Sequence, residues 1–514
     1  MNGYGRISPR SGTEVAPPWV LKTACLCLII ATLFATAVER GAAQSVLSYH
    51  GTQDHSGNFV VPKLTWDNAQ KMHLDESFRA HISGHVYAQP LFWRVPDTNS
   101  AMLLIATENN VVYAIDAQSG REIWRRALGK PIPRSSLPCG NVNPLGITGT
   151  PVIDRDAQAV FLDSAIENES GQHHFVFGLA LKDGSIVDGW PIDVEQALSS
   201  QRIHFFARDQ NQRGALAILD GTVYVPYGGH FGDCGEYHGI VVGISISDPR
   251  KVSSWVTRAR GGGIWAPGGL PTDGKSLFAA TGNTIGTARW GDGEAVIRLA
   301  PDLHHSTDNR DFFAPGDWNA LDARDADLGG TNPLLLDVPT STASQDLVIA
   351  LGKDGKAYLL DRNNLGGIGG ALVIQQVAQG QILGAPAAYA GADSVSVAFA
   401  GGGTHCPSGI SGTGITVLKI QSGSPPKMET TWCGSVRGRG SPIATTTDGH
   451  ANPIVWTLGA EGDNRLHGFR GDTGELLITT PGAALDGLRH FQTVIATPER
   501  LFVGADDGVY AFTF

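Results

Sequence analysis

The sequence lacks several features that mark other classes of protein. It has no long run of lysines or arginines, and its net charge of −11 argues against a nucleic-acid-binding protein. No Cys/His cluster has the spacing of a zinc site. No C-x-x-C-H is present, so the sequence offers no attachment site for a c-type haem. Helical periodicity of useful length is missing between the apolar segments, which argues against a parallel α/β fold.

One long apolar stretch lies near the N-terminus, at residues 20–38, with positively charged residues around it. The small-residue sequences ATA and GAA follow and offer cleavage positions. We expect residues 1–44 to be a signal peptide with a flanking tail, and the protein to be exported, either periplasmic or secreted. An N-terminal membrane anchor is the alternative. No later stretch is apolar enough to span a membrane.

Six cysteines are present, and four of them follow this segment, at Cys139, Cys234, Cys406 and Cys433. An even number of cysteines in an exported protein predicts two disulfides. Cys406 and Cys433 are close in sequence and are expected to pair. Cys139 with Cys234 is the remaining option, and the sequence alone leaves it open.

Glycine and proline are abundant, with 66 and 28 residues, and they separate short apolar segments. Residues 103–128, LLIATENNVVYAIDAQSGREIWRRAL, show the unit most clearly. A strand, a turn, an alternating strand and a tight turn ending in glycine lead into a third strand that carries Trp124. HVYAQPLFW, just before this stretch, provides a fourth strand.

This unit recurs along the chain at intervals of about 58 residues. A strand that follows small residues and a proline marks six units, and two further units lack the proline. The eight repeat positions are Pro90, Pro151, Leu216, Pro267, Pro333, Pro386, Pro442 and Val494. Eight units of four short strands predict an all-β fold, an eight-bladed β-propeller of four-stranded antiparallel blades over residues 45–514. A linear solenoid is the alternative.

The two ends of the chain favour a closed ring. The last unit, residues 499–514, stops after its third strand. The N-terminal residues 45–62 are expected to supply the missing fourth strand. Closing the ring in this way removes the open edge between the first and last blades.

The segment VVYAIDAQSGREIW, residues 111–124, resembles the repeat of the pyrroloquinoline quinone (PQQ) propeller proteins. That family includes the quinoprotein alcohol dehydrogenases and many non-catalytic relatives. SYHGTQDHSGNFVVPKLT, residues 48–65, resembles the family's N-terminal segment, and the resemblance covers about residues 45–514. It implies a site with an aromatic floor, a hard cation, basic groups for the anionic edge of the quinone and a carboxylate base.

The resemblance implies three residues that contact the cofactor. Trp265 in GGGIW precedes a strand and a T-G-N, as the stacking tryptophan of the dehydrogenases does. Asn283 stands at the family's calcium-binding asparagine, and Lys353 in LGKDGKAYLLDRNN stands at the cofactor-contacting basic position. The structural alternatives are a tryptophan in a blade core and a lysine in a solvated turn.

The resemblance also implies a catalytic base in LDARDADLGG, which matches the family's W-D-x-D. Asp325 and Asp327 hold the acidic places, and Arg324 replaces the tryptophan. The alternative is an aspartate pair that caps a turn. A rival alignment on PGDWN puts Asn319 where the base stands.

Calcium ligands are implied less directly. In YGGHFGDCGEYHG, Cys234 falls nearest the family's metal-binding glutamate, with Asp233 and Glu236 beside it. The implied ligand set is therefore Asn283, Asp233, Glu236 and Asp327, with the acidic group displaced from its usual position.

One family feature is altered. The dehydrogenases carry two adjacent, mutually bridged cysteines, whereas SLPCGNVNPLG keeps only Cys139, followed by Gly140. The ring disulfide cannot form here. A bridge from Cys139 to Cys234 would tie the start of blade 2 to blade 3.

These observations leave three functions open. The protein could be a PQQ- and calcium-dependent dehydrogenase of an alcohol, aldehyde or sugar, with Asp325 or Asp327 as base and a separate electron acceptor. It could instead be a propeller that has lost its redox site and binds a carbohydrate or an envelope protein. A lyase or hydrolase is the third class, suggested by residues scattered over several loops. These are His230, Asp233, His238, His304, His305 and His405. We expect a monomer.

Overall fold

The repeats fold into eight blades that follow one another in sequence order around a ring. The computed structural model describes residue 5 and residues 45–407, 413–482 and 484–514. The main strands of each blade pair antiparallel, and the edge strands Asn58–Val60 and Gly367–Ile368 pair in parallel. The predicted all-β eight-bladed propeller is therefore confirmed. The expected signal peptide at residues 1–44 lies outside the described residues apart from Gly5.

The blades are numbered here by their order in the chain. The strands of blades 1 and 2 are Leu91–Arg94, Ala101–Ala106, Val111–Asp116 and Glu122–Ala127, then Val152–Asp154, Ala159–Asn168, Gly171–Ala180 and Ile192–Asp193. Those of blades 3 and 4 are Gln210–Asn211, Ala217–Leu219, Thr222–Gly229, Ile240–Ser245 and Val252–Val256, then Leu277–Thr281, Ala295–Leu299, Phe312–Ala314 and Gly367–Ile368.

The second half of the ring has the same construction. Blades 5 and 6 contain Leu334–Pro339, Ser344–Leu351, Lys356–Asp361 and Val373–Gln376, then Ala387–Ala390, Val395–Ala400, Ile415–Gln421 and Lys427–Gly434. Blades 7 and 8 contain Asn58–Val60, Ile443–Thr446, Ile454–Leu458, Leu466–Arg470 and Leu476–Thr479, then His73–Leu74, Ala80–His81, Val494–Ala496, Leu501–Ala505 and Gly508–Thr513.

Helices in the described chain are short. The α-helices are Trp66–Ala69, Val194–Ser199 and Trp318–Asp322, and the 3-10 turns are Arg134–Ser136 and Leu328–Gly330. No helix of the described residues is both long and apolar enough to cross a membrane.

The repeat positions mark where the innermost strands begin. In blades 1, 2, 3, 5, 6 and 7 the first main strand starts at the residue after the repeat position, and in blade 8 it starts at Val494 itself. Blade 4 differs, because the chain after Pro267 makes only a single bridge, from Thr272 to Leu277, within the described residues. This irregular inner edge belongs to the segment that carries Trp265.

The hydrophobic core lies between neighbouring blades. Leu336 and Ile349 of blade 5, for example, pack in one cluster with Val397 and Leu418 of blade 6. Strands near the channel are covered on both faces by adjacent blades, and some of them, such as Ile454–Leu458 and Leu501–Ala505, are buried along their whole length. The outermost strands alternate instead, as in Val373–Gln376, where every second residue is exposed.

The tryptophan and the turn glycine of the repeat make contacts between successive blades. Trp124 on the outer strand of blade 1 donates its indole N–H to the carbonyl of Leu181 in blade 2, at 2.9 Å. Its ring lies against Gly184, where an added Cβ would come within 2.6 Å of the ring. Gly184 also has φ 68°, so the turn needs glycine for two reasons.

The N-terminal part of the chain closes the ring, as predicted, but with a different segment. His73–Leu74 and Ala80–His81 pair with Gly508–Thr513 and supply the outer strand of blade 8. The prediction that residues 45–62 supply this strand is wrong. Those residues include Tyr49, which is almost fully buried, whereas an outer strand exposes alternate side chains.

Residues 46–60 cross the ring instead. The segment bridges to Phe92 in blade 1 and hydrogen-bonds to blades 2, 4 and 6 through Ile153, Thr272 and Ala388. It ends as Asn58–Val60, which runs parallel to the inner strand of blade 7. One segment therefore ties together blades from opposite sides of the ring.

Both disulfides are present. Cys406 is bonded to Cys433 within blade 6, and Cys139 is bonded to Cys234. The second bond joins the loop between blades 1 and 2 to a loop of blade 3, which settles the pairing that the sequence left open.

Candidate functional site

Loops and strand ends from several blades enclose a cavity of about 900 Å³, named here the funnel. Two groups of side chains provide most of the charge in its lining. The acidic wall comes from blades 3 to 5 and comprises Asp233, Trp265, Asn283, Asp325, Asp327 and Lys353. The cationic wall comprises Tyr87, Arg213, Arg439, Glu461, Arg489, His490 and Phe491.

Trp265 is held in the acidic wall by the glycine-rich segment around it. The backbone N–H of Ile264 bonds to the carbonyl of Tyr227, and Gly263 passes so close to Gly228 that an added Cβ would lie 3.1 Å from its Cα. The glycines thus allow this segment to cross the end of a blade 3 strand. Trp265 lines the funnel and belongs to none of the clusters between blades.

Lys353 bridges two of the three aspartates of the acidic wall, Asp325 and Asp327. Its ammonium lies 2.7 Å from Asp325 Oδ1 and 2.6 Å from Asp327 Oδ2. The same ammonium is 5.2 Å from the centroid of the Trp265 ring, in cation–π range. Asp327 is 3% exposed and Asp325 is 63% exposed, so only Asp325 is open to a ligand in the funnel.

Backbone groups also hold Asp327 in position. Its Oδ1 accepts the N–H of Asn283 at 2.8 Å, and its carbonyl accepts the N–H of Lys353 at 2.9 Å. Burial raises the pKa of Asp327, although Lys353 and the Asn283 N–H act in the opposite direction. Burial alone would lower the pKa of Lys353, but the charges of Asp327 and Asp325 outweigh it and raise that pKa.

Glu294 lies behind Asp327 and was missed by the sequence reasoning. It is fully buried, its Oε2 accepts the N–H of Leu328 at 2.6 Å, and its Oε1 has no hydrogen-bond partner in the described chain. Burial, followed by the charge of Asp327, raises its pKa well above the usual range for glutamate. Burial and the charge of Asp327 therefore both favour the protonated form of Glu294 over the ionised form.

The implied calcium ligands are only partly brought together. Asp233, Asn283 and Asp327 line the funnel, but Glu236 lies outside the lining, is 68% exposed and faces Arg260 at 3.5 Å. Asp233 Oδ1 accepts the hydroxyl of Tyr237 at 2.6 Å. The described residues contain no group of three or more His, Cys, Asp or Glu side chains able to hold a metal ion.

The cationic wall contains residues that the sequence reasoning did not select. Arg213 and Arg439 have no ion pair within the described chain, whereas Arg489 bonds to Asp506 through its Nε at 3.0 Å. His490 Nδ1 bonds to Glu461 at 2.8 Å. Burial, then the charges of Arg213 and Arg439, lower the pKa of His490, and all three side chains line the funnel.

The repeat itself carries a signal for this wall. Tyr87, Arg213, Leu383, Arg439 and Phe491 each lie three residues before a repeat position, and all five line the funnel. The position three residues before an inner strand therefore faces the central cavity in most blades. Arginine there in two blades could have been read from the sequence.

The histidines proposed for a lyase or hydrolase are dispersed. Of the five, only His230 lines the funnel, and its Nε2 contacts the carbonyl of Arg208 at 3.0 Å, while burial lowers its pKa to about 4. His238 bonds to the carbonyl of Thr257, and His305 contacts Asp292. The structure does not assemble these histidines into one site.

The Cys139–Cys234 disulfide lies next to the funnel. Its neighbours Asn141, Gly232 and Asp233 are lining residues. Phe231, also on this loop, is 72% exposed at the funnel surface. The bond therefore fixes the loops that frame one side of the opening.

Comparisons with known proteins agree with the fold. No protein-family model matches the chain, and no curated protein matches it. Among solved structures, it is similar to the quinohemoprotein alcohol dehydrogenase of Comamonas testosteroni, with 14% identity and a TM-score of 0.61 over 92% of this chain and 81% of that one. A europium-containing methanol dehydrogenase gives 14% identity and a TM-score of 0.61 over 92% of this chain and 98% of that one.

A third similar structure is the quinohemoprotein alcohol dehydrogenase ADHIIG of Pseudomonas putida HK5, with 14% identity and a TM-score of 0.61 over 91% of this chain and 80% of that one. At this level of identity the likeness shows a shared propeller fold. Function must be argued from the funnel.

Proposed function

We propose that the protein is an exported PQQ-like propeller whose funnel binds a flat quinone cofactor of the PQQ type and oxidises an alcohol, aldehyde or sugar. The observation that carries the proposal is the meeting of Trp265, Asn283, Asp325, Asp327 and Lys353 around one cavity. These residues come from segments up to 88 positions apart, yet the resemblance selected each of them. The two disulfides support export.

The residues present suit such a quinone. A cavity of about 900 Å³ is within the range of small-molecule sites. Trp265 offers an aromatic surface, and Lys353 places a positive charge beside it. Asn211 lines the same cavity, and its buried Oδ1 has no partner in the described chain, so a polar ligand group or a water would complete it.

The same residues do not suit a calcium ion. Calcium takes about six to eight oxygen ligands. Both carboxylate oxygens of Asp327 are already engaged, one by the Asn283 N–H and one by the Lys353 ammonium, which would repel a dication at that distance. We therefore propose a site that works without calcium.

The chemistry of the chain's own residues follows from their exposure. When bound, a PQQ-type quinone accepts a hydride from the substrate, and the electrons then pass to a separate acceptor. Asp325, open to the funnel, accepts the hydroxyl proton of the substrate. Asp327, buried and fixed by backbone groups, holds Lys353 in place, and Lys353 pairs with both carboxylates and offsets one of their two negative charges.

A second function is favoured by the missing calcium donors. The funnel could bind a small organic or carbohydrate ligand without redox chemistry, or the ring could present a face to an envelope protein. In that case Asp325 and Lys353 orient a polar ligand and no electrons are transferred.

The test is a titration of the purified protein with PQQ in the presence of EDTA, followed by absorbance, and then an alcohol-dependent dye-reduction assay. We expect saturable binding, and activity in wild type that falls at least 100-fold in Asp325→Asn. Asp97→Asn, at an exposed turn away from the funnel, is the matched control. PQQ binding without activity would favour the second function, and absence of PQQ binding would contradict the proposal.

A further inference from the structure

Arg213 lines the funnel with a guanidinium that has no anionic partner among the described residues. Its Nη2 is buried and has no hydrogen-bond partner, and no acidic side chain pairs with its guanidinium within the described residues. It contacts aromatic rings instead, 4.9 Å from the centroid of Phe491 and 6.0 Å from that of Tyr87. A buried charge without a partner is strongly unfavourable, so such a group indicates an anion that binds there.

The nearest carboxyl groups do not serve as this anion. Glu108 directs its Oε2 to the N–H of Gly146 at 2.6 Å, and burial raises its pKa to about 7. Glu461 is bonded to His490. Both act on Arg213 only through space, and burial still lowers the pKa of the arginine.

Arg439 provides a second unpaired guanidinium in the same wall. It is exposed, lines the funnel and, like Arg213, lies close enough to His490 to lower the pKa of that histidine. Arg489 is different, because Asp506 and His85 already occupy its donors. The wall thus presents two guanidinium groups with free donors to one cavity.

The chemistry of these groups defines the ligand. Guanidinium forks match the two oxygens of a carboxylate, and the rings of Phe491 and Tyr87 beside Arg213 suit a flat or apolar organic body. We propose that Arg213 and Arg439 bind the carboxylate of an organic acid, so that the alcohol, aldehyde or sugar that reacts in the funnel carries a carboxylate as well. The inference depends on the proposed function in one respect, namely that the ligand binds in the funnel.

Isothermal titration calorimetry of the purified protein tests the proposal, with benzoate, benzyl alcohol and inorganic phosphate as probes. We expect benzoate to bind saturably and benzyl alcohol to bind at least 10-fold more weakly, because only benzoate supplies an anion. Equal affinity for benzoate and benzyl alcohol, or absence of benzoate binding, would overturn the proposal. Phosphate binding as tight as that of benzoate would overturn the assignment to carboxylates.

Substitutions identify the residues. Arg213→Gln should weaken benzoate binding at least 10-fold, and Arg439→Gln should weaken it less, since Arg439 is exposed. Arg437→Gln, an exposed arginine outside the funnel lining, should leave the affinity unchanged. Thermal unfolding of ligand-free Arg213→Gln checks folding, and we expect a melting temperature no lower than that of wild type. Unchanged benzoate affinity in a folded Arg213→Gln variant refutes the site.

A competition experiment separates the substrate's carboxylate from those of the cofactor. If the guanidiniums serve the substrate, benzoate binds with or without saturating PQQ. Competition between the two, together with weaker PQQ binding to Arg213→Gln, assigns the guanidiniums to the cofactor and overturns the substrate assignment. If benzoate binds and PQQ does not, the proposed function alone is refuted. If PQQ binds equally well to wild type and Arg213→Gln and benzoate does not bind, this inference alone is refuted.

Discussion

Replacing Lys353 with methionine tests whether the acidic wall is held together by one ammonium. The change keeps an unbranched side chain, one heavy atom shorter, and removes its charge. Asp327, 3% exposed, then loses the only cation among the described residues that contacts it, while Asp325, 63% exposed, stays hydrated. Breaking a buried pair on one side costs about 3–5 kcal/mol, whereas an exposed partner contributes about 0–1 kcal/mol. We expect Lys353→Met to lower the free energy of unfolding by about 3 kcal/mol at pH 7.

The pH dependence of this loss gives its cause. Without Lys353, the pKa of buried Asp327 rises further above its unfolded value, so the folded variant binds a proton more tightly than the unfolded chain does. The variant is therefore relatively most stable at acid pH, and stability is lost as the pH rises through the pKa of the folded carboxyl. The difference from wild type should be smaller at pH 4 than at pH 7.

Urea unfolding followed by tryptophan fluorescence measures both quantities. The double variant Asp327→Asn/Lys353→Met should recover most of the loss, because no charge is then left buried. The reasoning is refuted if the loss is the same at pH 4 and pH 7, or if Asp327→Asn gives no recovery.

Three further predictions concern other parts of the ring. Burial raises the pKa of Glu108 to about 7. Glu108 therefore stabilises the fold below its unfolded pKa, and that contribution is lost as the pH rises through about 7. Glu108→Gln should flatten the pH profile of urea unfolding and be more stable than wild type by about 3 kcal/mol above pH 8. Glu294→Gln should unfold within about 1 kcal/mol of wild type at pH 7, because burial and the charge of Asp327 disfavour the ionised form of Glu294 and glutamine keeps an acceptor for the Leu328 N–H. A loss above about 3 kcal/mol would contradict this reasoning. Replacing both Cys139 and Cys234, 95 residues apart, with serine should lower the free energy of unfolding by about 4 kcal/mol and weaken ligand binding in the funnel. The same change in the blade 6 disulfide should affect stability alone. Equal effects of the two changes on binding would show that the first bond does not shape the funnel.

Much of the fold was accessible from the sequence because each blade repeats one local pattern. The prolines and small residues at Pro90 or Pro442 precede inner strands, and the turn glycine and tryptophan of the repeat pack against the next blade. The closing strand at residues 73–81 was not found, since it is two short pairs with exposed residues. Its apolar content is too low to be recognised without its partner, Gly508–Thr513.

The site was accessible only in part, and the reason is physical. Trp265 and Lys353 lie in segments that resemble a known pattern, so the sequence selects them. Glu294 acquires its role from burial beneath Asp327, which depends on the meeting of blades 4 and 5. Arg213 and Arg439 matter because their neighbours leave them unpaired, and no local pattern states which partners are missing.

The calcium assignment shows the limit of a resemblance. The motif places Glu236 near a metal, but the fold turns it outward towards Arg260. Lys353 supplies the positive charge beside Asp325 and Asp327. Matching a family's ligands to this sequence identifies candidate positions. The charges of the side chains in the funnel determine which ion can bind there.

The most direct measurement of the central claim is a crystal structure of the protein soaked with PQQ in the absence of added metal. The account predicts difference density in the funnel, with the ring system against Trp265 and no metal between Asp325 and Asp327. Density at another place on the ring, a metal ion coordinated by Asp233 and Asn283, or a funnel that holds only solvent would contradict it.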